Sequence, residues 1–452
     1  MTDLPLNGIR VVDLSRVFAM PYAGAYLADL GAEVIKVDCC QAQFVDTTRT
    51  LNGPYPDNDP GELYWERAGT FQTLNRGKRS VTLDLRSEDA ISILKQLVSV
   101  SDIVLENFTP RVMQRFGLDY ANLRAVKPDL IMVSNTGYGH SGPWSNFGAM
   151  ATALEPTHGT GAFMGYLDPG PDGRLHDGGI PNKMGNSYTD FLASWTAQLA
   201  VIASLIHRSR TGKGMWVDLA MYQVGSSFIG EGILDFAFNG RRTRRMGNRD
   251  HTMSPHGCYP CLGQDEWVTI AVRDDRDWEA FCQALGQPSL AGDSRFAHPT
   301  DRHGHQDELD EIISRWTSTQ SQYQVMEALQ SAGVPAGPVL NAKALLADPQ
   351  YRARGFFQPA DHADETGLGR KEYVGRGWSL SESPINPIRP APMLGEANDY
   401  VLSRMLCLND EEIQRLKDAG TVGDTLADAR APSIVPLKRQ VELGWISGYD
   451  EL

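Results

Sequence analysis

Four short patterns in this 452-residue chain hold groups that could do chemistry. Gly137-Tyr-Gly139-His-Ser-Gly142 has the G-x-G-x-x-G spacing of a dinucleotide-binding turn, where the last glycine opens a helix whose N-terminus faces a pyrophosphate. Pro143-Trp144 follow with no helical pattern, so the glycines predict instead a tight turn where a ligand or another backbone comes close. Thr211-Gly-Lys-Gly214 lacks the spacing of a nucleotide-binding P-loop and reads as a helix-to-strand turn. Cys258-Tyr-Pro-Cys261 has His251 and His256 nearby but no second pair to complete four ligands, and it stands before a strand rather than opening a helix that would lower a thiol pKa. No metal is expected. Asp190 follows Asn186-Ser-Tyr-Thr189 and precedes the uncharged run Phe191 to Ile206. It reads either as an N-cap or first-turn acid facing the helix dipole, or as a nucleophile or base at the end of a rigid helix beside a glycine-rich loop. The residues alone leave both open.

Regular elements must place these groups. Ile9-Arg-Val-Val-Asp13, a helical run from Pro21 to Leu30 closed by Gly31, and Glu33-Val-Ile-Lys-Val37 form a βαβ beginning. The pattern resumes with Ser80-Val-Thr-Leu-Asp84, a helical stretch from Glu88 to about Val100, Asp102-Ile-Val-Leu-Glu106, a short helix near Arg111 and Leu130-Ile-Met-Val-Ser134. Strands alternating with helices predict an α/β fold with a mostly parallel sheet covered on both faces. Leu51 to Pro60 and Tyr166 to Gly185 read as loops, and Phe191 to Ile206 as a buried helix too short for a membrane span. An arginine-dense segment (Arg241, Arg242, Arg244, Arg245, Arg249) then bridges two units. After it comes a compact α+β stretch, with a strand at Trp267 to Val272 and helices near Trp278, Asp307 and Tyr323. The tail is Pro-rich from Ser381 to Pro392 and ends in a last amphipathic helix near Asp410 to Lys417.

The length suits two or three folded units. With 56 acidic against 42 basic residues the formal net charge is −14, which repels phosphates and excludes nucleic acid as a partner. Six cysteines are too sparse for a disulfide framework and suit a reducing compartment. The opening Met1-Thr-Asp-Leu-Pro5 has no positive region followed by an apolar stretch, so a cytoplasmic location without membrane attachment is expected.

Taken in order, several segments resemble one enzyme family, the family III CoA-transferases, which include formyl-CoA and carnitine CoA-transferases. They are Leu6 through Pro21 (LNGIRVVDLSRVFAMP), Ala28 through Asp38 (ADLGAEVIKVD), Asn75-Arg-Gly-Lys-Arg-Ser80 with Leu83-Asp-Leu85, Glu106-Asn-Phe108, and Gly137-Tyr-Gly139 with Gly142-Pro143. Arg208 with Thr211-Gly-Lys-Gly214, Gly333-Val-Pro-Ala-Gly-Pro-Val339, Asp348-Pro-Gln350 with Arg354-Gly355, and Ala391-Pro-Met-Leu-Gly-Glu396 extend the likeness almost to the end. The resemblance implies a doubly wound, Rossmann-like large domain with a small α+β domain inserted, two chains interlocking as a dimer. Residues 1–221 and 350–452 would form the large domain and 258–330 the small one, with linkers at 222–257 and 331–349. It also implies that Asp190 attacks an acyl-CoA thioester to give an aspartyl anhydride and then an aspartyl-CoA thioester, with CoA thioesters as substrates and no permanent cofactor. Glycine-rich stretches at Gly137 to Gly142, or Gly257, could lend N–H groups to the tetrahedral oxyanion.

The resemblance further implies CoA contacts at Val17, Phe18, Lys78, Asn107, Phe108, Arg115 and Met221, and a substrate environment including Gly139. For Lys78 and Arg115 the alternative is plain surface charge. Cys39 stands where some members carry a phosphate-binding arginine, and Ala149 or Met150 where the family's racemases carry a histidine, leaving His158 as the remaining candidate base. The arginine cluster, Arg244 and Arg245 above all, suits the second carboxylate of a dicarboxylic acyl group, or else is an exposed basic linker. Transfer from a succinyl-CoA-like donor to an organic acid, such as an aryl- or alkyl-substituted succinate, is the leading expectation. An acyl-CoA racemase and a non-catalytic subunit paired with a paralogous chain are the alternatives.

Overall fold

The structure, a computed structural model, describes residues 4–50, 53–166, 179–185, 187–383 and 388–450. Most of the loop read between Tyr166 and Gly185, the start of the one read from Leu51, residue Asn186, part of the Pro-rich tail and the first three residues lie outside that set. The chain forms two compact units, one of residues 1–160, 184–233 and 353–452, the other of 161–183 and 234–352.

Six strands build the first unit: β1 (Arg10–Asp13), β2 (Glu33–Asp38), β3 (Arg79–Thr82), β4 (Ile103–Glu106), β5 (Ile131–Thr136) and β6 (Met215–Ala220). All neighbours run parallel in the order β3-β2-β1-β4-β5-β6. This is the doubly wound order, in which the chain reverses its direction of travel across the sheet between β1 and β4. The strands are apolar at both parities because both faces are covered. Val11, Val34, Ile103 and Ile131 pack with helices α1 (Ala19–Asp29) and, further along the chain, Tyr188–Thr211; Val12, Ile35, Val104 and Met132 face the opposite core, with α2 (Glu88–Ser99). After β4 comes α3 (Pro110–Arg115); after β5 come α4 (Ala151–Thr157), the long helix α5 (Tyr188–Thr211) and, beyond β6, α6 (Met221–Ser227).

Helix α5 departs from the buried helix expected over Phe191 to Ile206. Leu192, Ala193, Ala197 and Val201, spaced about one turn apart, are buried, while Trp195 is 50% and Leu199 71% exposed. It is the one helix among the described residues long and apolar enough to cross a membrane, but it packs along one side in this core. Gly212 ends it in the left-handed conformation and Gly214 presses so close to Leu130 that a Cβ would lie 1.9 Å from the Leu130 carbonyl oxygen. The Thr-Gly-Lys-Gly segment is therefore a turn that lays β6 against β5.

Residues 353–452 add Ala397, Val401, Leu402, Leu416 and Val422 to the α2 core, and Ala397 N–H bonds Ser80 O along the edge strand β3. A helix over Leu437–Glu442 follows the amphipathic one at Asp410–Asp418, which is thus not the last. The buried Arg49 fastens three distant stretches: it donates to Asp38 Oδ2 (2.9 Å), Glu66 Oε2 (2.8 Å) and Pro392 O (3.0 Å) while lying over the Phe71 ring.

The second unit holds an antiparallel sheet of β7 (His256–Pro260), β8 (Trp267–Ala271) and β9 (Ala336–Val339), in that order, with α7 (Asp275–Ala284), α8 (Gln306–Thr317) and α9 (Gln322–Ser331). Trp278, Phe281, Ile313 and Leu329 fill its core around Val268 and Ile270. Strand β9 falls within 331–349, and all of α6 after Met221 and a helix at Gly230–Asn239 within 222–257, both stretches that the sequence reads as linkers. Cys258 lies inside β7 rather than before a strand, because Cys258 pairs with Thr269.

Replacing Arg49 by Met would leave Asp38 and Glu66 as buried carboxylates without their cation. We expect a loss of about 3–5 kcal/mol in urea denaturation. A loss under about 1 kcal/mol would show that this triad does not fasten the returning chain.

Candidate active site

In a doubly wound sheet the strand loops on either side of the reversal diverge and leave a crevice beyond the carboxyl ends of the strands. A cavity of about 420 Å³ lies there. Val17, Phe18 and Ala19 line it from the β1–α1 turn, Asn107 and Phe108 from the end of β4, Asn135 to Tyr138 from the end of β5 and just beyond, Ala151, Thr152 and Leu154 from α4, Asp190 from α5 and Met221 from α6.

The turns are fixed by polar contacts. Asn107 Oδ1 accepts from Arg16 N–H (2.8 Å) and its Nδ2 donates to Arg16 O (2.7 Å), tying the two loops at the reversal together. Glu106 Oε2 accepts the Phe108 N–H at 2.9 Å. Val17 has φ +70°, a conformation that a β-branched residue rarely adopts. Its N–H is held by Asp46 Oδ1 (3.2 Å), while Lys36 Nζ bonds both Asp46 Oδ2 (3.1 Å) and Ser15 O (2.9 Å). Asp46 and Lys36 are buried, so the strained turn is clamped from beneath.

Asp190 is the third residue of α5, in its first turn, and its side chain reaches the cavity wall. Burial, and secondarily the charge of Glu155 on α4, push its carboxyl up to about 7. Near neutral pH it therefore exists in comparable amounts as acid and carboxylate, and the carboxylate is more basic than an ordinary aspartate. Such a group suits nucleophilic or proton-transfer chemistry.

Of the residues expected around a CoA thioester, Val17, Phe18, Asn107, Phe108, Met221 and Asp190 meet at this one cavity. Others do not. Lys78 is buried, its ammonium bonded to Asp13 Oδ2 (2.6 Å) and Asn75 Oδ1 (2.9 Å); it is neither surface charge nor open to a phosphate, because Asp13 already neutralises it inside the fold. Arg115 is exposed at the end of α3, outside the cavity lining. Gly139 turns away, bonding the Thr136 hydroxyl through its N–H and lying nearest Ala220 and Asp218. The His158 ring is 2% exposed and packed so tightly on Gly225 that a Cβ there would lie 2.2 Å from it, so no substrate reaches it as a base.

Arg244 and Arg245 line a different cavity, of about 590 Å³, in the second unit, with Arg249, His256 and Cys258. Arg245 is committed to structure: its guanidinium donates to the carbonyls of Gly161 (2.7 Å) and Gly179 (2.9 Å). Arg249 pairs with Asp307 and Asp310. Gly257 sits in β7 opposite Ile270, in the other unit from Asp190. Burial raises the thiols of Cys258 and Cys261, the latter to about 11, which opposes metal ligation or redox exchange. Among the described residues no group of three or more His, Cys, Asp or Glu side chains could hold a metal ion.

Sequence reasoning missed Glu155 and Asn135. Asn135 lines the cavity, yet both ends of its amide are buried without a hydrogen-bond partner among the described residues. Neither belongs to a recognisable spacing. A polar residue in a strand end or helix that otherwise reads as apolar was the available signal.

The chain matches the model of CoA-transferase family III over residues 6–398 and belongs to that family. It is 33% identical over 410 residues to the succinate–glutarate CoA-transferase of Agrobacterium fabrum, covering 90% of this chain and 98% of that one. It is 31% identical over 418 residues to the succinyl-CoA–D-citramalate CoA-transferase of Chloroflexus aurantiacus, covering 91% and 97%. The crystal structure of a CAIB/BAIF family protein from Brucella suis shares the fold with a TM-score of 0.77 at 30% identity, over 89% of this chain and 100% of that one. The protein is thus a CoA-transferase, and the Chloroflexus relative is named for a CoA thioester, succinyl-CoA.

Because the Asp190 carboxyl has a folded-state value near 7 against 3.8 when unexposed to these surroundings, the native state holds the extra proton between those values. Its contribution to stability is therefore present at low pH and lost as pH rises from about 4 to 7. Asp190→Asn should unfold at higher temperature than the parent at pH 8, by roughly 1–3 kcal/mol of stability, with the gap closing towards pH 4. Thermal melts at both pH values check this; a variant that is less stable at pH 8 would contradict the raised carboxyl.

Proposed function

We propose that Asp190 is the nucleophile in transfer of CoA from a succinyl-CoA-like donor to an organic acid. The observation that carries this reading is a half-buried, unusually basic carboxylate at the wall of the cavity where the sheet reverses. Asp190 Oδ attacks the thioester carbonyl carbon; the C–S bond breaks, CoA leaves as thiolate and an aspartyl acyl anhydride remains. The thiolate then attacks the Asp190 carbonyl carbon, releasing the donor acid as carboxylate and leaving an aspartyl-CoA thioester. An acceptor carboxylate attacks that thioester and the same two steps run in reverse, so no proton is consumed overall. Each step exchanges one activated acyl bond for another, which keeps the intermediates close in energy. The apolar lining from Phe18, Phe108 and Met221 limits water at an anhydride it would hydrolyse.

The Chloroflexus relative's name supports succinyl-CoA as donor, and the Agrobacterium relative's name supports succinate and glutarate as the acids exchanged. By its chemistry Arg244, exposed in the second unit, stays the candidate carboxylate-binding arginine of the cluster, since Arg245 is occupied. The sealed ring of His158 argues against racemisation, which needs a base that reaches the substrate. The apolar side of α5, with Trp195 and Leu199 outward, supports association with a second chain, the same or paralogous.

With succinyl-CoA as donor and glutarate as acceptor, Asp190→Asn should lose at least about 10³-fold in kcat, a loss of the size seen when a covalent nucleophile is removed. Hydroxylamine added to parent enzyme and succinyl-CoA should leave a hydroxamate at Asp190, read by peptide mass; an active enzyme with unmodified Asp190 refutes the covalent route. Arg244→Ala should raise KM for dicarboxylates about tenfold or more while sparing monocarboxylates. An equal rise for both acid classes removes Arg244 from substrate selection.

A further inference from the structure

The first turn of α5 is gripped from α4 at two successive residues. Glu155, 3% exposed, accepts the Tyr188 N–H through Oε1 at 3.0 Å. One turn later His158 shares a hydrogen bond between Nε2 and the Thr189 hydroxyl at 2.9 Å. The residue after Thr189 is Asp190. The Tyr188 amide is among those at a helix start that have no acceptor inside the helix, and Glu155 satisfies it from outside. Capping needs one oxygen, and a glutamine would supply it. The second oxygen, Oε2, is nevertheless buried with no hydrogen-bond partner among the described residues, an arrangement that capping alone does not explain.

The elements packed on α5 offer Asp190 no unpaired cation to offset that charge. Helix α4 and its C-terminal end bring Glu155 and His158, and burial lowers the imidazole pKa, which favours the neutral ring. Helix α1 brings Tyr22, Tyr26 and Asp29, the last paired with Arg76; α6 brings Tyr222; β6 brings Asp218, paired with His140; β5 brings no ionisable side chain.

We propose that Glu155 is a positioning residue of the transfer reaction, which locks the first turn of α5 through Tyr188 and imposes a negative field on the Asp190 carboxylate. This rests on Asp190 being the nucleophile. The field acts on the two states of Asp190 unequally. It destabilises the free carboxylate, whereas the anhydride and the thioester at Asp190 are uncharged there and escape the repulsion. Glu155 thus favours acylation over the resting carboxylate, and its charge, next after burial, is what raises the Asp190 carboxyl.

The test is the pH dependence of kcat/KM for succinyl-CoA with glutarate in the parent, Glu155→Gln and Glu155→Asp. The parent should lose activity on acidification near pH 7. Glu155→Gln, which keeps the cap but not the charge, should move that limb to lower pH by roughly one unit. Glu155→Asp, which keeps the charge but draws its oxygen back from Tyr188, should leave the limb in place and lower kcat. A limb unmoved in Glu155→Gln overturns the proposal, whatever happens to the plateau. A second readout needs no turnover: at pH 8 Glu155→Gln should raise Tm in the parent and not in an Asp190→Asn background, and an equal rise in both overturns the field. Failure of the nucleophile reading looks different, with Asp190→Asn still transferring CoA.

Discussion

Two lysines and two aspartates with almost no exposed side-chain surface lie beneath the carboxyl ends of β1 and β2, and the cavity depends on their pairing. Lys78 meets Asp13, and Lys36 meets Asp46. Ion pairs buried this deeply return little net stability, since each charge has left water. What they supply is position. Asp13 takes the Ser15 N–H and hydroxyl, Lys36 takes the Ser15 carbonyl and Asp46 takes the Val17 N–H, so the β1–α1 turn has backbone groups held on both sides of its strained residue. The reciprocal bonds of Asn107 with Arg16 then carry that placement across the reversal to the end of β4.

The proposed nucleophile is held by a separate device. Asp190 comes from a helix that starts about fifty residues after the end of β5, and α4, folded back on the first turn of α5, hydrogen-bonds that helix start at Tyr188 and Thr189. The apolar turns of α5 serve the core with one side and leave the other open, which a helix buried all round would not do. Among the described residues the two wall systems, clamped turn and gripped helix, share no hydrogen-bonded residue and meet through the packing of α1 on α5.

Much of this was legible beforehand. Strands apolar at both parities, with intervening helical periods, announce a covered parallel sheet; five of its strands overlap the runs the sequence marks, and β6 follows the turn read at Thr211 to Gly214. The lysine at Lys78 illustrates the limit. In the sequence it is one more cation in a basic run, Arg76-Gly-Lys-Arg79, and nothing local says that Arg79 is partly exposed while Lys78 and Arg76 are buried. The same blindness covers Arg245, which resembles its neighbour Arg244 in sequence but is committed to the carbonyls of Gly161 and Gly179, about seventy or more residues away along the chain.

By itself the sequence determined the α/β class and the family and pointed to Asp190 as the candidate, because periodicity and ordered motifs are local properties carried by neighbouring residues. Tertiary structure alone decided which polar side chains face the cavity, which cations are neutralised inside the fold, and that Glu155 stands over the helix start of Asp190. Those outcomes turn on desolvation and on partners 30 to 80 residues distant, such as Glu155 with Tyr188 or Lys78 with Asp13. Electrostatic free energy depends on distance and burial in three dimensions, and a one-dimensional pattern holds neither.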